Sequence, residues 1–257
     1  MEYVEGHTVY EHMVKEGPYS EKEALAIGLQ IAHALDHAHQ AGLIHRDVKP
    51  KNILITAEGL AKLADMGLAR DVSDREVAEA EVGKACGTPY YIAPEQIRGH
   101  VDVDFRTDIY SFGATLYHMV TGRVPFEGSE INVILRKHLK DPLLPPDHIR
   151  PELSDGFCEI VELCMKKKPD RRYATTDDLI ADLQAVADGG PPLHARQLLD
   201  VGDLTALGQG TIVEEHETDD ITADERSLFV TPLFWIAVTG WILALFLLMV
   251  ITVIYSH

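Results

Sequence analysis

Apolar residues at Ala24, Ile27, Ile31, Ala34, Leu35 and Ala38 follow the three-and-four spacing that builds one face of an α-helix. Ser20-Glu21-Lys22-Glu23 opens that helix as a capping box, and Gly42 closes it. A shorter helix is predicted over residues 7–16, stopped by Gly17-Pro18. Beyond Gly42 the period changes. Asn52-Ile53-Leu54-Ile55 and Ala61-Lys62-Leu63-Ala64 bracket the turn signal Glu58-Gly59 and read as two short strands. Residues 71–88 are polar and irregular, and an apolar helix returns from Asp108 to Val120, closed by Thr121-Gly122. Residues 154–166 and 175–187 predict two further helices. Gly189-Gly190-Pro191-Pro192 then breaks the pattern and marks a domain boundary.

The C-terminal stretch behaves differently. Residues 193–226 are acidic and weakly apolar, with Glu214-Glu215-His216-Glu217-Thr218-Asp219-Asp220 at their heart, which predicts a flexible tether. From Ser227 to Ser256 no side chain is charged, and Leu233 to Tyr255 is almost entirely apolar. As a helix that run reaches about 35 Å, enough to cross a hydrocarbon core of about 30 Å. Trp235, Trp241 and Tyr255 suit loose interfacial anchoring. A single transmembrane helix over 228–255 is the expectation.

Charge and cysteine content narrow the function. Of the 257 residues, 41 are acidic and 23 basic, a net charge of −18. That excludes a general nucleic-acid binder, which needs a basic surplus to displace counterions from phosphates. Three cysteines, Cys86, Cys158 and Cys164, offer neither a disulfide framework nor a zinc knuckle, which places the bulk of the chain in a reducing cytosol. The N-terminus lacks the basic and apolar regions of a signal peptide. His33 and His37, four apart on the predicted helix, read as surface or packing residues rather than metal ligands.

The run His45-Arg46-Asp47-Val48-Lys49-Pro50-Lys51-Asn52 carries the chemistry. Phosphoryl transfer needs an acceptor hydroxyl held in line, metal ions on phosphate oxygens and fixed positive charge. Asp47 can accept a hydroxyl proton, Asn52 can offer a neutral oxygen to magnesium, and Asp65 can supply a charged metal ligand after the second strand. Lys49 can neutralise the transferring phosphate.

In order and spacing these residues resemble the catalytic loop of a protein kinase, and the resemblance extends from Met1 to about Val186. Asp65-Met66-Gly67 is similar to the metal-binding Asp-Phe-Gly motif, with an apolar Met in place of Phe. Gly87-Thr88-Pro89-Tyr90-Tyr91-Ile92-Ala93-Pro94-Glu95 resembles the substrate-docking segment and its closing Ala-Pro-Glu. The resemblance implies that Glu95 pairs with Arg172, that Asp108 buttresses the catalytic loop, and that Thr88 bonds Asp47 and Lys49. Lys49 and Thr88 imply Ser/Thr rather than Tyr substrates. The family is that of bacterial, eukaryotic-like, membrane-anchored Ser/Thr kinases.

Further expectations follow from the resemblance. The fold is mainly α, a kinase-like helical C-lobe with a few short strands plus one transmembrane helix. Residues 1–187 form the lobe, 188–227 an acidic linker and 228–255 the span. Met1 to Gly6 resembles the hinge, so backbone groups of Glu2 and Val4 would bond the adenine of ATP, with Leu54 beneath it. ATP and Mg²⁺ (or Mn²⁺) are the implied cofactors, with Asn52 and Asp65 as metal ligands. Arg46 would grip a phosphate on the activation segment, where Glu76, Glu79 and Glu81 stand and where Ser73 and Thr88 are the available hydroxyls. The glycine-rich loop, strand lysine and helix glutamate of the small lobe have no counterpart between Met1 and the catalytic loop. They are expected upstream of Met1 or on a separately encoded chain. The alternative is a catalytically dead, membrane-tethered fragment or binding module. The expected partners are a protein substrate and the membrane, with the lobe facing the cytoplasm and no nucleic acid.

Overall fold

The computed structural model of the chain describes residues 5–64, 70–71, 89–100 and 103–198. Its first strand, β1 (Gly6–Thr8), runs directly into α1 (Val9–Glu16), so the helix expected from residue 7 starts two residues later. Thr8 explains the switch. Its side chain accepts the Glu11 amide at 3.0 Å while the Glu11 carboxylate accepts the Thr8 amide at 2.7 Å. Ser20 and Glu23 repeat this capping box at the head of α2 (Glu21–Gln40). Buried Ala24, Ile27, Ile31 and Leu35 form the inner face of α2, whereas His33 and His37 are exposed.

A short β2 (Leu43–Ile44) follows, then a 3-10 turn at Pro50–Asn52 that feeds β3 (Ile53–Thr56). With β4 (Ala61–Leu63) these strands form a sheet of order β1-β3-β4, antiparallel throughout. The register places His7 opposite Ile55 and Leu54 opposite Lys62. Gly6 is obligatory at this edge, because a Cβ there would lie 2.2 Å from the Ile55 carbonyl oxygen. The backbone of β5 (Arg70–Asp71) pairs antiparallel with β2.

The rest is helical. After the short α3 (Pro94–Ile97) comes α4 (Arg106–Thr121), buried on nearly every side and ended by left-handed Gly122 at φ 68°. A helix buried on nearly every side belongs in a core, and α4 is that core's axis. Gly113 lets α6 (Asp155–Cys164) press against it, since a Cβ at 113 would come within 2.5 Å of the Cys164 Cβ. Between α4 and α6 along the chain comes α5 (Ile131–Lys140), which the apolar pattern did not announce. The helix α7 (Thr176–Ala187) lies along α2 and closes the bundle, with Leu179 and Leu183 fully buried. Cys158 and Cys164 are free thiols inside this core, and burial pushes the Cys158 thiol up to about 12.

The folded body does not stop at Ala187, as the Gly189-Gly190-Pro191-Pro192 break led one to expect. Pro192 packs on Gly156, and residues 193–198 turn helical again. Buried Asp182 accepts the backbone amides of Leu193, His194 and Ala195 at 2.9, 3.1 and 2.7 Å, capping that helical start, and Ala195 is fully buried. The first part of the expected 188–227 linker is therefore bound to the lobe. Among the described residues no helix is long and apolar enough to cross a membrane. The expected span at 228–255 and the acidic run at 214–220 lie outside them.

Candidate active site

The loop between β2 and β3 is held from beneath by one carboxylate. Asp108, fully buried in the first turn of α4, accepts the His45 amide at 2.8 Å on Oδ2 and the Arg46 amide at 2.7 Å on Oδ1. Arg46 has φ of 66°, the one non-glycine residue in the left-handed region among those described. Such a conformation costs about 1–3 kcal/mol and persists only where neighbours impose it. Asp108 imposes it, and the Gln96 side-chain amide adds a bond to the Arg46 carbonyl at 3.1 Å.

His45 fixes the loop's other side. Its Nδ1 accepts the Asp47 amide at 3.3 Å, which leaves Nε2 to donate to the Ala64 carbonyl at 3.2 Å. This single tautomer ties the loop to the end of β4, immediately before Asp65.

The result is a cluster around one carboxylate oxygen. Asp47 Oδ2 receives the Lys49 ammonium and, at 3.0 Å, the Asn52 amide nitrogen. The same nitrogen donates to the Asp47 carbonyl at 2.8 Å. Both partners of Nδ2 are acceptors, so the orientation of the Asn52 amide is fixed and its Oδ1 is turned away from Asp47. Among the described residues no donor reaches Asp47 Oδ1. Asp47 and Lys49 remain about one-seventh exposed, open to a reactant, while Asn52 is buried.

The second constellation is structural. Glu95, at the head of α3, meets Arg172 in a two-pronged ion pair with bonds of 2.7 and 2.8 Å. Thr107 donates to the same carboxylate at 2.7 Å. Arg172 also donates to the carbonyls of Lys166, Lys167 and Arg106, and lies 4.8 Å over the Tyr110 ring. Burial alone would raise the Glu95 carboxyl, but the Arg172 bonds and charge, with Thr107, outweigh it and hold the group below the usual carboxylate value. This knot anchors the segment 89–97 to the base of the helical core.

Asp47, Lys49 and Asn52 thus come together on one loop, Arg46 and Asp108 meet beneath it, and Glu95 and Arg172 meet at its flank. Leu54 sits half-buried on β3. Glu2, Val4, Asp65, Thr88, and the acidic positions Glu76, Glu79 and Glu81 lie outside the described residues. Asn52 Oδ1 is chemically suited to a hard cation such as Mg²⁺, and Asp65 follows directly on the strand that His45 tethers. Among the described residues no three side chains of His, Cys, Asp or Glu form a further metal cluster.

One residue of this assembly escaped the sequence reading. His39 Nε2 lies 2.9 Å from Asp108 Oδ2, and its Nδ1 lies 3.0 Å from the Thr176 hydroxyl. It links α2 and α7 to the carboxylate that shapes the loop. The signal was in the helical phase, since His39 follows buried Leu35 by four and Ile31 by eight.

Comparison with known proteins places these observations in a family. Residues 1–182 match the protein kinase domain. A probable serine/threonine-protein kinase of Clostridium perfringens is 35% identical over 221 residues, 86% of this chain and 32% of the relative. The serine/threonine-protein kinase PknB of Mycobacterium tuberculosis is 37% identical over 207 residues, 80% of this chain and 33% of the relative. A probable PknB of Bifidobacterium longum is 35% identical over 225 residues, 84% of this chain and 32% of the relative. The chain spans about a third of the length of these curated relatives.

Proposed function

Because the chain belongs to the protein kinase family, we propose that it takes part in transfer of the γ-phosphoryl group of ATP to serine or threonine hydroxyls of a protein substrate. One observation carries the reading. One carboxylate oxygen of Asp47 is occupied by Lys49 and Asn52, and among the described residues no donor reaches the other, which is placed to accept a proton. In this role Asp47 takes the proton of the attacking hydroxyl, and the Lys49 ammonium stands beside the incoming phosphoryl group to offset its charge. Asn52 Oδ1, with Asp65, would hold Mg²⁺. The metal supplies charge neutralisation on the phosphate oxygens. The choice of serine and threonine is supported by Lys49 at its place in the loop and by the relatives, which are serine/threonine-protein kinases.

The test is phosphorylation of a mixture of acceptor proteins by the full chain with Mg-ATP, Asp47→Asn serving as control. Phosphoserine and phosphothreonine that appear with the native chain and vanish with Asp47→Asn are expected. Label that persists in Asp47→Asn, or none in either, removes the proposal.

The same reading places the lobe on the cytoplasmic side of a membrane, tethered by 228–255. Its support is the uncharged run from Ser227 to Ser256. Carbonate extraction of membranes from expressing cells checks it, and release of the chain into the soluble fraction overturns it.

A further inference from the structure

A cleft of about 630 Å³ opens beside the catalytic loop, with Lys49 in its wall. Since Lys49 also binds Asp47, the cleft adjoins the carboxylate to which an acceptor hydroxyl would be delivered. Two more cations reach it from separate parts of the fold. Lys51 comes from the catalytic loop itself, and Arg123 follows the glycine that ends α4. The Lys51 ammonium sits 4.7 Å over the Tyr10 ring, which also lines the cleft and holds the charge at its wall. Among the described residues neither Lys51 nor Arg123 is paired with a carboxylate.

The opposing charge is small. Glu127 is the one carboxylate among the described residues that line it, and His118 adds no charge near neutral pH. The Nδ1 of His118 lies 2.6 Å from the Tyr91 hydroxyl, and burial brings the ring down to about 4. In a chain of net charge −18, the described residues of this wall carry more cations than carboxylates.

We propose that this cleft selects protein segments carrying Asp or Glu beside the acceptor hydroxyl, with Lys51 and Arg123 as the specificity-determining cations. The inference rests on the kinase reading above and names the substrate class of the same site. Both cations are exposed, so each contact is of the modest kind made by surface ion pairs. Their effect is discrimination between segments rather than tight binding.

The test measures binding without chemistry. Three fluorescent peptides share one sequence, with Val in place of the acceptor and Glu, Gln or Lys at the two flanking positions. Anisotropy is read on the full chain at about 0.15 M salt, where the Debye length of about 8 Å screens the overall negative charge but leaves contact pairs. The Glu peptide is expected to bind about fivefold more tightly than the Gln peptide, and the Lys peptide more weakly than both. In the double variant Lys51→Glu/Arg123→Glu the order inverts, with the melting temperature unchanged. Equal affinities, tightest binding of the Lys peptide, absence of binding, or a Glu preference that survives the double variant each overturn the proposal. No phosphoryl group moves in this assay. Failed transfer with the preference intact would therefore sink the kinase reading alone, and a lost preference with Asp47-dependent transfer intact would sink this one alone.

Discussion

Asp108 Oδ1 accepts the amide of Arg46 at 2.7 Å, and Arg46 is the residue whose backbone is twisted to φ 66°. The carboxylate and the strained peptide form one device, in which a buried acceptor on the core helix sets the direction of the residue just before Asp47. The other oxygen of Asp108 serves His45 and His39, so both are in use.

Replacing Asp108 with Asn swaps one acceptor for a donor facing a backbone N–H. The expected loss is about 2–4 kcal/mol, from an unsatisfied buried amide and from Arg46 backbone strain that the Asp108 bond no longer offsets. Urea denaturation should show a lower midpoint with an unchanged slope. An unchanged midpoint would show that the Arg46 conformation is supported elsewhere.

The Glu95–Arg172 pair predicts an asymmetry between deletion and replacement. Arg172→Lys keeps the charge but loses the fork that meets both Glu95 oxygens and three carbonyls. It should cost about 3–5 kcal/mol, as should Glu95→Leu, because each leaves its partner buried without its counter-charge or full bonding. The double variant Glu95→Leu/Arg172→Met should cost less than the sum, and a thermal-melt cycle measures the coupling. Strict additivity would mean the two side chains act independently.

What the sequence made legible follows physical range. Capping at Ser20, the strand pair around Glu58-Gly59 and the closure at Gly122 depend on residues no more than ten positions apart, and the structure has them in place. The meeting of Glu95 with Arg172 spans 77 positions and was legible only through the motif resemblance. Helical phase marks His39 as inward-facing, but its partners lie 69 and 137 positions away, so its role was not legible locally. The packing of residues 192–198 was hidden for a similar reason. Gly-Gly-Pro-Pro is a true helix stop, but a buried Asp182 recaptures the chain beyond it.

His39 joins Asp108 to Thr176 and so couples the loop to α7. His39→Leu removes a donor from Asp108 and an acceptor from the Thr176 hydroxyl, for an expected loss of about 1–3 kcal/mol. Thr176→Val deletes only the outer bond and should cost about 1 kcal/mol. Added to His39→Leu, Thr176→Val should cost nearly nothing further, since its partner has already gone. Full additivity in chemical denaturation would break the proposed chain of contacts.

A buried histidine, His138, and a half-buried one, His118, give the lobe a defined response to acid. Burial lowers His118 to about 4 and His138 to about 3, against 6.5 for a free imidazole. Each stays neutral within hydrogen-bonding reach of a tyrosine hydroxyl, Tyr91 for the first and Tyr110 for the second. Between those lowered values and 6.5 the unfolded chain binds more protons than the folded one, so stability falls as pH drops below 6.5. Glu95 acts in a lower window, its depressed value adding stability that is lost only as pH falls below 4.5. The melting temperature should therefore decline already from pH 6.5 to 4.5, before most carboxylates protonate. His118→Gln keeps an acceptor for Tyr91 without a titrating ring, and it should remove about 1–2 kcal/mol of the acid-induced loss at pH 5, partial exposure reducing the full linkage value. Parallel pH profiles for the native chain and His118→Gln would show that His118 does not resist protonation in the fold.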